Sequence, residues 1–464
     1  MAHRFLISAA HKSSGKTTVS IGLCAALAAR GMVVQPYKKG PDYIDPLWLG
    51  AAAGRACRNL DFHLDDGPQL QAQFARHGSA ADVCLVEGNK GLYDGLDLHG
   101  ANSNAALARL LGLPVVLVLD ARGMTRGIAP LILGYQAFEP DLDICGVILN
   151  RLGGSRHEAK LRAVIEHYTD IKVLGAIHED ASLAVAERHL GLIPANESGE
   201  AAARIAAIAE RVAAQVDLAQ LLALTHSDRA LPAPPPRRVA TVKPVRIGIA
   251  RDAAFGFYYA DDIEAFAAAG AQLVPVDTLR DARLPQLDGL FIGGGFPESF
   301  LDELEANASL RADIRAAIDA GLPAYAECGG LMYLARSISW RGRTRSMVGA
   351  LAADVKMHAK PVGRGYVRLA VAAAHPWLEP GTSLPAHEFH YSGLENIAAG
   401  TRYAYRLQRG HGVDGEHDGI MHKNLLASYT HLRATAACDW VARFVAHVRA
   451  CKAQKSVEQQ VCLS

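Results

Sequence analysis

Two stretches of this 464-residue chain carry side chains arranged for chemistry rather than packing. The first is Ala10-His11-Lys12-Ser13-Ser14-Gly15-Lys16-Thr17-Thr18, which closes the apolar run Phe5–Ala10 and opens a helix-like segment. A loop of this kind turns backbone N–H groups toward phosphate oxygens and puts a helix N-terminus behind them. Gly15 allows the close approach, Lys16 neutralises phosphate, the Thr17 hydroxyl reaches Mg²⁺, and Thr18 completes the nucleotide loop. Ala10 stands where such loops usually begin with glycine. The second stretch is Glu327-Cys328-Gly329-Gly330, again after an apolar strand. A thiol on a tight strand-to-helix turn is accessible and lies at a helix N-terminus, which favours the thiolate. The glycines after it, together with Gly293-Gly294-Gly295 at another strand end, let backbone N–H groups reach an oxyanion. About a hundred residues on, Ser428-Tyr429-Thr430-His431-Leu432 offers a histidine as general base and acid. A solitary cysteine is most often core. On a glycine elbow, with a distant histidine, Cys328 reads as a nucleophile and His431 as its partner.

Carboxylates recur near the phosphate loop. Asp42 and Asp45 lie in Lys39-Gly40-Pro41-Asp42-Tyr43-Ile44-Asp45-Pro46, after the second strand. Glu87 closes the third, followed by Gly88, and Asp94 sits in Gly91-Leu92-Tyr93-Asp94-Gly95. Sheet-end carboxylates beside glycines suit Mg²⁺, which takes oxygen ligands and needs an open approach. Each alone reads as readily as a cap or turn residue; beside a P-loop, Glu87 reads as a metal group. Asn150, closing the fifth strand, is placed to hydrogen-bond an adenine edge.

The elements that must hold these residues follow from hydrophobic pattern. Phe5–Ala10, Val33–Tyr37, Val83–Glu87, Val115–Asp120, Cys145–Asn150 and Val173–Ile177 are apolar on both faces, as in a covered parallel sheet. Helix-like segments such as Thr17–Arg30 and Ala101–Leu111 alternate with them, which predicts a doubly wound α/β domain over residues 1–228. Leu231-Pro232-Ala233-Pro234-Pro235-Pro236-Arg237-Arg238 fits neither helix nor central strand, so 229–244 reads as a Pro-rich linker. The strand rhythm restarts at Arg246–Ala250, Gln272–Val276, Gly289–Ile292 and Ala324–Ala326, and becomes strand-rich with turns from about Gly342. This predicts a second α/β domain over 245–450 with an antiparallel extension. The polar stretch 451–464 is expected to be a disordered tail.

Bulk properties narrow the partners. The formal charge of +1 gives no field toward nucleic acid or anionic lipid. No apolar run approaches the roughly 18 residues of a membrane span, and the chain enters its first motif too early for a leader. The eight cysteines form no CxxC pair, which argues for reduced thiols in the cytoplasm and against a zinc site or disulfide framework.

Taken in order, these motifs resemble the cobyrinic acid a,c-diamide synthase family over nearly the whole chain. Further segments that carry the resemblance are Ala254-Phe255-Gly256-Phe257-Tyr258-Tyr259, Gly293-Gly294-Gly295-Phe296-Pro297-Glu298 and His387-Glu388-Phe389-His390-Tyr391-Ser392. The resemblance implies a P-loop ATP-binding synthetase domain joined to a class I glutamine amidotransferase-like domain. It implies amidation of the a and c acetates of cobyrinate or hydrogenobyrinate through an acyl phosphate, using ATP, Mg²⁺ and glutamine or ammonia. It carries catalysis to Cys328 and His431, and the metal to Thr17, Glu87 and Asp45. Substrate contacts fall to Asp42, Tyr43, Asp45 and Asp94. Self-association into a homodimer is compatible with it.

Two departures stand out. Asn89-Lys90 replaces a small apolar residue and Met, so Lys90 adds a cation that suits a substrate carboxylate and leaves a sirohaem- or sirohydrochlorin-type macrocycle as an alternative. Arg433 stands where related amidotransferases often place Glu two residues after the His, so another group must orient His431 or the pair works alone. The stretch His387–Ser392 reads as aromatic packing. A competing reading from another class, a partition-type P-loop ATPase with a regulatory thiol domain, predicts ATP turnover indifferent to glutamine.

Overall fold

The structure is a computed structural model and describes residues 2–180, 187–188, 191–197, 199–232 and 243–463. Its contacts divide the chain between Pro235 and Pro236. Most of the expected linker, residues 233–242, lies outside the described residues.

The first unit is a parallel sheet built from β1 (Ala2–Ala9), β2 (Val34–Lys39), β3 (Arg58–Leu60), β4 (Val83–Glu87), β5 (Val115–Asp120), β6 (Ile144–Leu152) and β7 (Lys172–His178). The strand order is β3-β2-β4-β1-β5-β6-β7. Val, Ile and Leu on both faces of these strands are buried by helices on both sides. One face is covered by α1 (Lys16–Ala29) and α2 (Ile44–Ala53), whose Val19, Leu23, Trp48 and Leu49 pack with Phe5 and Leu85. The other face is covered by α3 (Gly67–Gly78), α4 (Asn104–Leu111), α5 (Ile128–Phe138) and α6 (Ser155–Tyr168), through Phe74, Leu107, Ile132 and Leu161. The chain leaves β1 toward β2 on one side and returns from β4 to β5 on the other. The carboxyl ends of β1 and β4, adjacent in the sheet, therefore form the crevice at which open α/β sheets bind ligands. Strand β2 runs two residues beyond the expected Tyr37, because Lys38 and Lys39 are buried rather than solvated.

The second unit holds a nine-stranded mixed sheet. Its parallel half comprises β8 (Val245–Ala250), β9 (Ala271–Val276), β10 (Gly289–Ile292) and β11 (Ala324–Glu327). Strands β12 (Gly363–Val371), β13 (Ser383–His390), β14 (Arg402–Arg409) and β15 (His417–His422) form the antiparallel extension expected from the sequence. Strand β16 (Leu425–Ser428) joins the halves, parallel to β11 and antiparallel to β15, in the order β9-β8-β10-β11-β16-β15-β14-β12-β13. An aromatic layer of Phe266, Phe291, Tyr325, Trp440 and Phe444 covers one face. The terminal helix, Trp440–Leu463, passes the point where a disordered tail was expected to begin. Its early turns are anchored by Val441, Val445 and Val448, and Lys452 bonds Asp288 at 2.8 Å, so the helix continues beyond Ala450 into residues of good helix propensity. Among the described residues no helix is long and apolar enough to cross a membrane.

Candidate active sites

At the end of β1 the chain turns through Ser13 at φ 64° and Gly15 at φ 88° before α1 begins at Lys16. Glycine at this left-handed position is required twice over. A Cβ there would also lie 2.1 Å from Asn150 Nδ2. Asn150 lies two residues before the end of β6 and donates to Ser14 O at 2.9 Å, so its visible role is to brace the phosphate loop, with adenine contact left as an expectation. Ala10 takes the place of the first glycine without disturbing the turn; its carbonyl accepts from the Tyr135 hydroxyl at 2.7 Å. Lys16 is 7 % exposed, and burial, helped by Lys38, pushes its pKa down to about 8 against Glu87, Asp45 and Asp94. Such an ammonium gains most from an incoming phosphate.

Beside the loop the acids and a lysine converge. Thr17 Oγ1 donates to Glu87 Oε1 at 2.7 Å and to Asp45 Oδ2 at 3.3 Å. Lys38 Nζ lies 2.6 Å from Asp45 Oδ2, 2.9 Å from Glu87 Oε1 and 4.0 Å from Asp42 Oδ2. Burial alone would lower the Lys38 pKa, but Asp45, Glu87 and Asp42 hold it well above the lysine range. Asp42 also caps α2 by accepting from the N–H groups of Ile44 and Asp45. Tyr43 sits at the N-cap of that helix. Asn59 Nδ2 fixes the loop by donating to Gly40 O and Asp42 O. Asp94 accepts from Gly91 N at 2.9 Å and remains exposed, as does Lys90, whose φ is +24°. Thr18 follows Thr17 in α1, half-buried.

In the second unit Cys328 sits at the elbow between β11 and a helix over Gly329–Leu334, with φ 48° and ψ −101°. This backbone conformation is costly for a residue with a Cβ and turns the thiol out of the sheet line. Its N–H donates to Ser428 O at 2.7 Å. The glycines pack against this turn: a Cβ on Gly329 would lie 2.9 Å from Gly295 N, and one on Gly330 would lie 2.1 Å from Ile292 O. Side chains there would push the glycine ridge Gly293–Gly295 away from the thiol.

His431 is held from several directions. Its Nδ1 lies 3.2 Å from Glu327 Oε2, and it hydrogen-bonds the Cys328 thiol. The His387 ring stacks on it at 4.9 Å and 16°, and the two residues pair through their backbones. Asp418 fixes the approach to it by accepting from the N–H groups of Tyr429 and Thr430. Burial would lower the His431 pKa, but the hydrogen bonds to Cys328 and Glu327 overcome it and raise the pKa to about 10. Arg433 points elsewhere, to Asp261 at 2.8 Å. The carboxylate absent two residues after the histidine thus has a counterpart in Glu327, one residue before Cys328.

The structure gathers Thr17, Asp45, Glu87, Asp42 and Lys16 around one crevice, and Cys328 and His431 around another. Lys38, Lys39 and the orienting role of Glu327 were missed. The available signals were two lysines ending an apolar strand, and an acid beside a nucleophile.

A nucleotide crevice at a P-loop and a cysteine elbow backed by histidine and glutamate define the class of glutamine-dependent, ATP-driven carbon–nitrogen ligases. Family models agree: residues 6–193 match the CobQ/CobB/MinD/ParA nucleotide binding domain, and residues 246–437 the CobB/CobQ-like glutamine amidotransferase domain. A protein of Magnetococcus marinus named cobyrinate a,c-diamide synthase is 46 % identical over 451 residues, covering 95 % of this chain and 97 % of that one. Proteins of the same name from Methanosarcina acetivorans and Listeria monocytogenes are 42 % and 38 % identical, each covering 93 % of this chain and 93 % and 96 % of their own. The chain belongs to the cobyrinate a,c-diamide synthase family.

Proposed function

We propose that the chain amidates the a and c acetate carboxylates of cobyrinate or hydrogenobyrinate, spending ATP and taking nitrogen from glutamine or free ammonia. The observation that carries this reading is the Glu327–His431–Cys328 arrangement on a glycine elbow, in a chain that also bears a P-loop. The name shared by its relatives supports the corrin substrate. Cys328 Sγ attacks the glutamine amide carbon, and its proton passes through His431 to the departing ammonia. Water then hydrolyses the thioester to glutamate. The Gly293 N–H is already given to the Tyr258 hydroxyl at 3.0 Å, which leaves Gly294 and Gly295 as the ridge residues to serve the oxyanion, and Glu327 stabilises the imidazolium.

A substrate carboxylate oxygen attacks the terminal phosphorus of ATP and ADP leaves. Ammonia adds to the acyl phosphate carbonyl and phosphate departs. Activation is needed because a carboxylate resists ammonia and oxide is a poor leaving group. Lys16 neutralises phosphate, while Asp42, Tyr43, Asp94 and Lys90 receive the macrocycle. Thr17, Asp45 and Glu87 fit Mg²⁺: all offer hard oxygens, Glu87 Oε2 is buried without a hydrogen bond among the described residues, and the Lys38 ammonium already rests against the same carboxylates. Bound there with nucleotide, Mg²⁺ supplies charge neutralisation on the phosphates.

Mass spectrometry of products from cobyrinate, hydrogenobyrinate and sirohydrochlorin tests the reading. Cys328→Ser should amidate with ammonia but not glutamine, and Lys16→Ala with neither. Glutamine-driven product from Cys328→Ser would overturn the thiol assignment, and product from sirohydrochlorin alone would overturn the corrin.

A further inference from the structure

Two consecutive lysines end β2, and both are buried, at 3 % and 5 % exposure. Strand alternation sends their side chains to opposite faces, and the two ammonium groups meet different fates. Lys38 is paired with three carboxylates. Lys39 Nζ makes one hydrogen bond, 3.1 Å to the neutral amide oxygen of Asn89, and no ion pair among the described residues. The charges that act on it are Asp61, which favours the ammonium, and Lys90 and Lys38, which oppose it. Lys38 is already compensated by its own carboxylates, so at Lys39 one carboxylate, Asp61, works against the neighbouring Lys90 cation. Keeping an ammonium buried with so little compensation is costly, unless a ligand brings the anion.

The turn that presents the second cation is held in place. Asn104 Nδ2 donates to Asn89 O at 2.7 Å and to Gly91 O at 2.9 Å, on either side of Lys90. A Cβ on Gly88 would strike Asn104 at 2.7 Å. Lys90 is fixed at φ +24°, a conformation that side chains rarely adopt, and stays exposed. This pair of cations is also separate from the phosphate site. The charges that act most on Lys16 are Lys38, Glu87, Asp45 and Asp94, whereas Lys39 bonds Asn89 and faces Asp61 and Lys90.

We propose that Lys39, held by Asn89, and Lys90 anchor a second carboxylate of the substrate while another is being activated. The inference rests on the functional reading above, in which the substrate carries at least the a and c carboxylates. An anchored second carboxylate fixes how the ring lies over the crevice, and so which acetate meets the phosphate.

The test is the ammonia-driven reaction of the full chain, joined to direct titration with cobyrinate followed by absorbance and with ADP by calorimetry. Lys39→Met should raise KM and the dissociation constant for cobyrinate about tenfold, as expected for a lost charge-assisted contact. ADP affinity should hold and kcat change little, and Lys39→Arg should recover most of the affinity. The Lys90→Met enzyme, altered at an exposed side chain, should show a smaller rise and carries the test if Lys39→Met fails to fold. Unchanged cobyrinate affinity in these variants overturns the anchor alone. Parallel loss of cobyrinate and ADP binding assigns Lys39 to structure or phosphate and also overturns it. A wild-type enzyme that binds MgATP but neither binds nor amidates cobyrinate fails one step earlier, at the functional reading.

Discussion

Glu327 Oε2 lies 3.2 Å from His431 Nδ1, across a sequence separation of 104 residues, while Glu327 is the immediate neighbour of Cys328. One strand end therefore carries both the thiol and the carboxylate, and the parallel partner strand leads into the histidine three residues past its end. The carboxylate cannot turn away, because Oε1 accepts from the Tyr325 hydroxyl at 2.8 Å and from Leu432 N at 2.9 Å.

Glu327→Gln keeps this shape and removes the charge. Burial opposes the His431 imidazolium, and Glu327 is one of the groups that lift its pKa to about 10. With the charge gone the imidazolium loses its proton at lower pH, so the alkaline limb of the glutaminase profile should move down. Glutamine-driven kcat/KM should fall about a hundredfold, in the range of a misdirected general base. Ammonia-driven amidation should be nearly unchanged. Steady-state rates across pH with each nitrogen donor decide this, and an unshifted limb in Glu327→Gln would refute it.

Gly294 sets the space in which the imidazole works. A Cβ there would stand 2.8 Å from His431 Cε1, closer than carbon atoms pack, and the ring is confined on another side by His387. Gly294→Ala should displace the ring and cut glutamine-driven turnover by about tenfold or more, since small misplacements of catalytic groups are expensive. Glutaminase and ammonia-driven rates measured side by side check it; equal loss in both would point to misfolding.

The parallel strands of the first unit other than β3 were legible because each is apolar on both faces, a pattern that helices must cover. The P-loop and the cysteine elbow were legible because local glycines announce them. What escaped depends on contacts that sequence separation hides. Lys38 and Lys39 look like solvent-facing residues ending a strand, and only the meeting of β2 with β4 and the Asp42–Asp45 loop shows them buried. Glu327 was in view but without a role, because the expected orienting acid was sought after His431, where Arg433 instead pairs with Asp261. Short β3, Arg58–Leu60, carries too little pattern to stand out, yet its Asn59 holds the loop that carries Asp42 and Asp45.

Asn150 and Gly15 make a second pair with a measurable consequence. The Asn150 amide braces Ser14 O, and Gly15 leaves room for it. Gly15→Ala combines a clash at 2.1 Å with a left-handed φ, so ATP binding should be lost. Asn150→Ala leaves the turn intact but unbraced, and should weaken ATP about tenfold, consistent with the loss of one buried hydrogen bond. Calorimetric titration with MgATP gives both numbers. Unaltered affinity in Asn150→Ala would remove the bracing role.

Lys38 is the cation around which the first crevice closes. Glu87 is fully buried, and with Asp45 it relies on the Lys38 ammonium for charge balance. Lys38→Met should destabilise this region by about 3–5 kcal/mol, the usual effect of removing one partner from a buried ion pair. Adding Glu87→Gln should recover part of that loss, since it removes a charge left without its partner. Two separate units make a single melting temperature ambiguous, so hydrogen exchange of the β2 and β4 amides is the better measure. Exchange in Lys38→Met should quicken about a hundredfold or more and slow again in the double variant. Additive effects of the two substitutions would show that the lysine and the glutamate do not depend on each other.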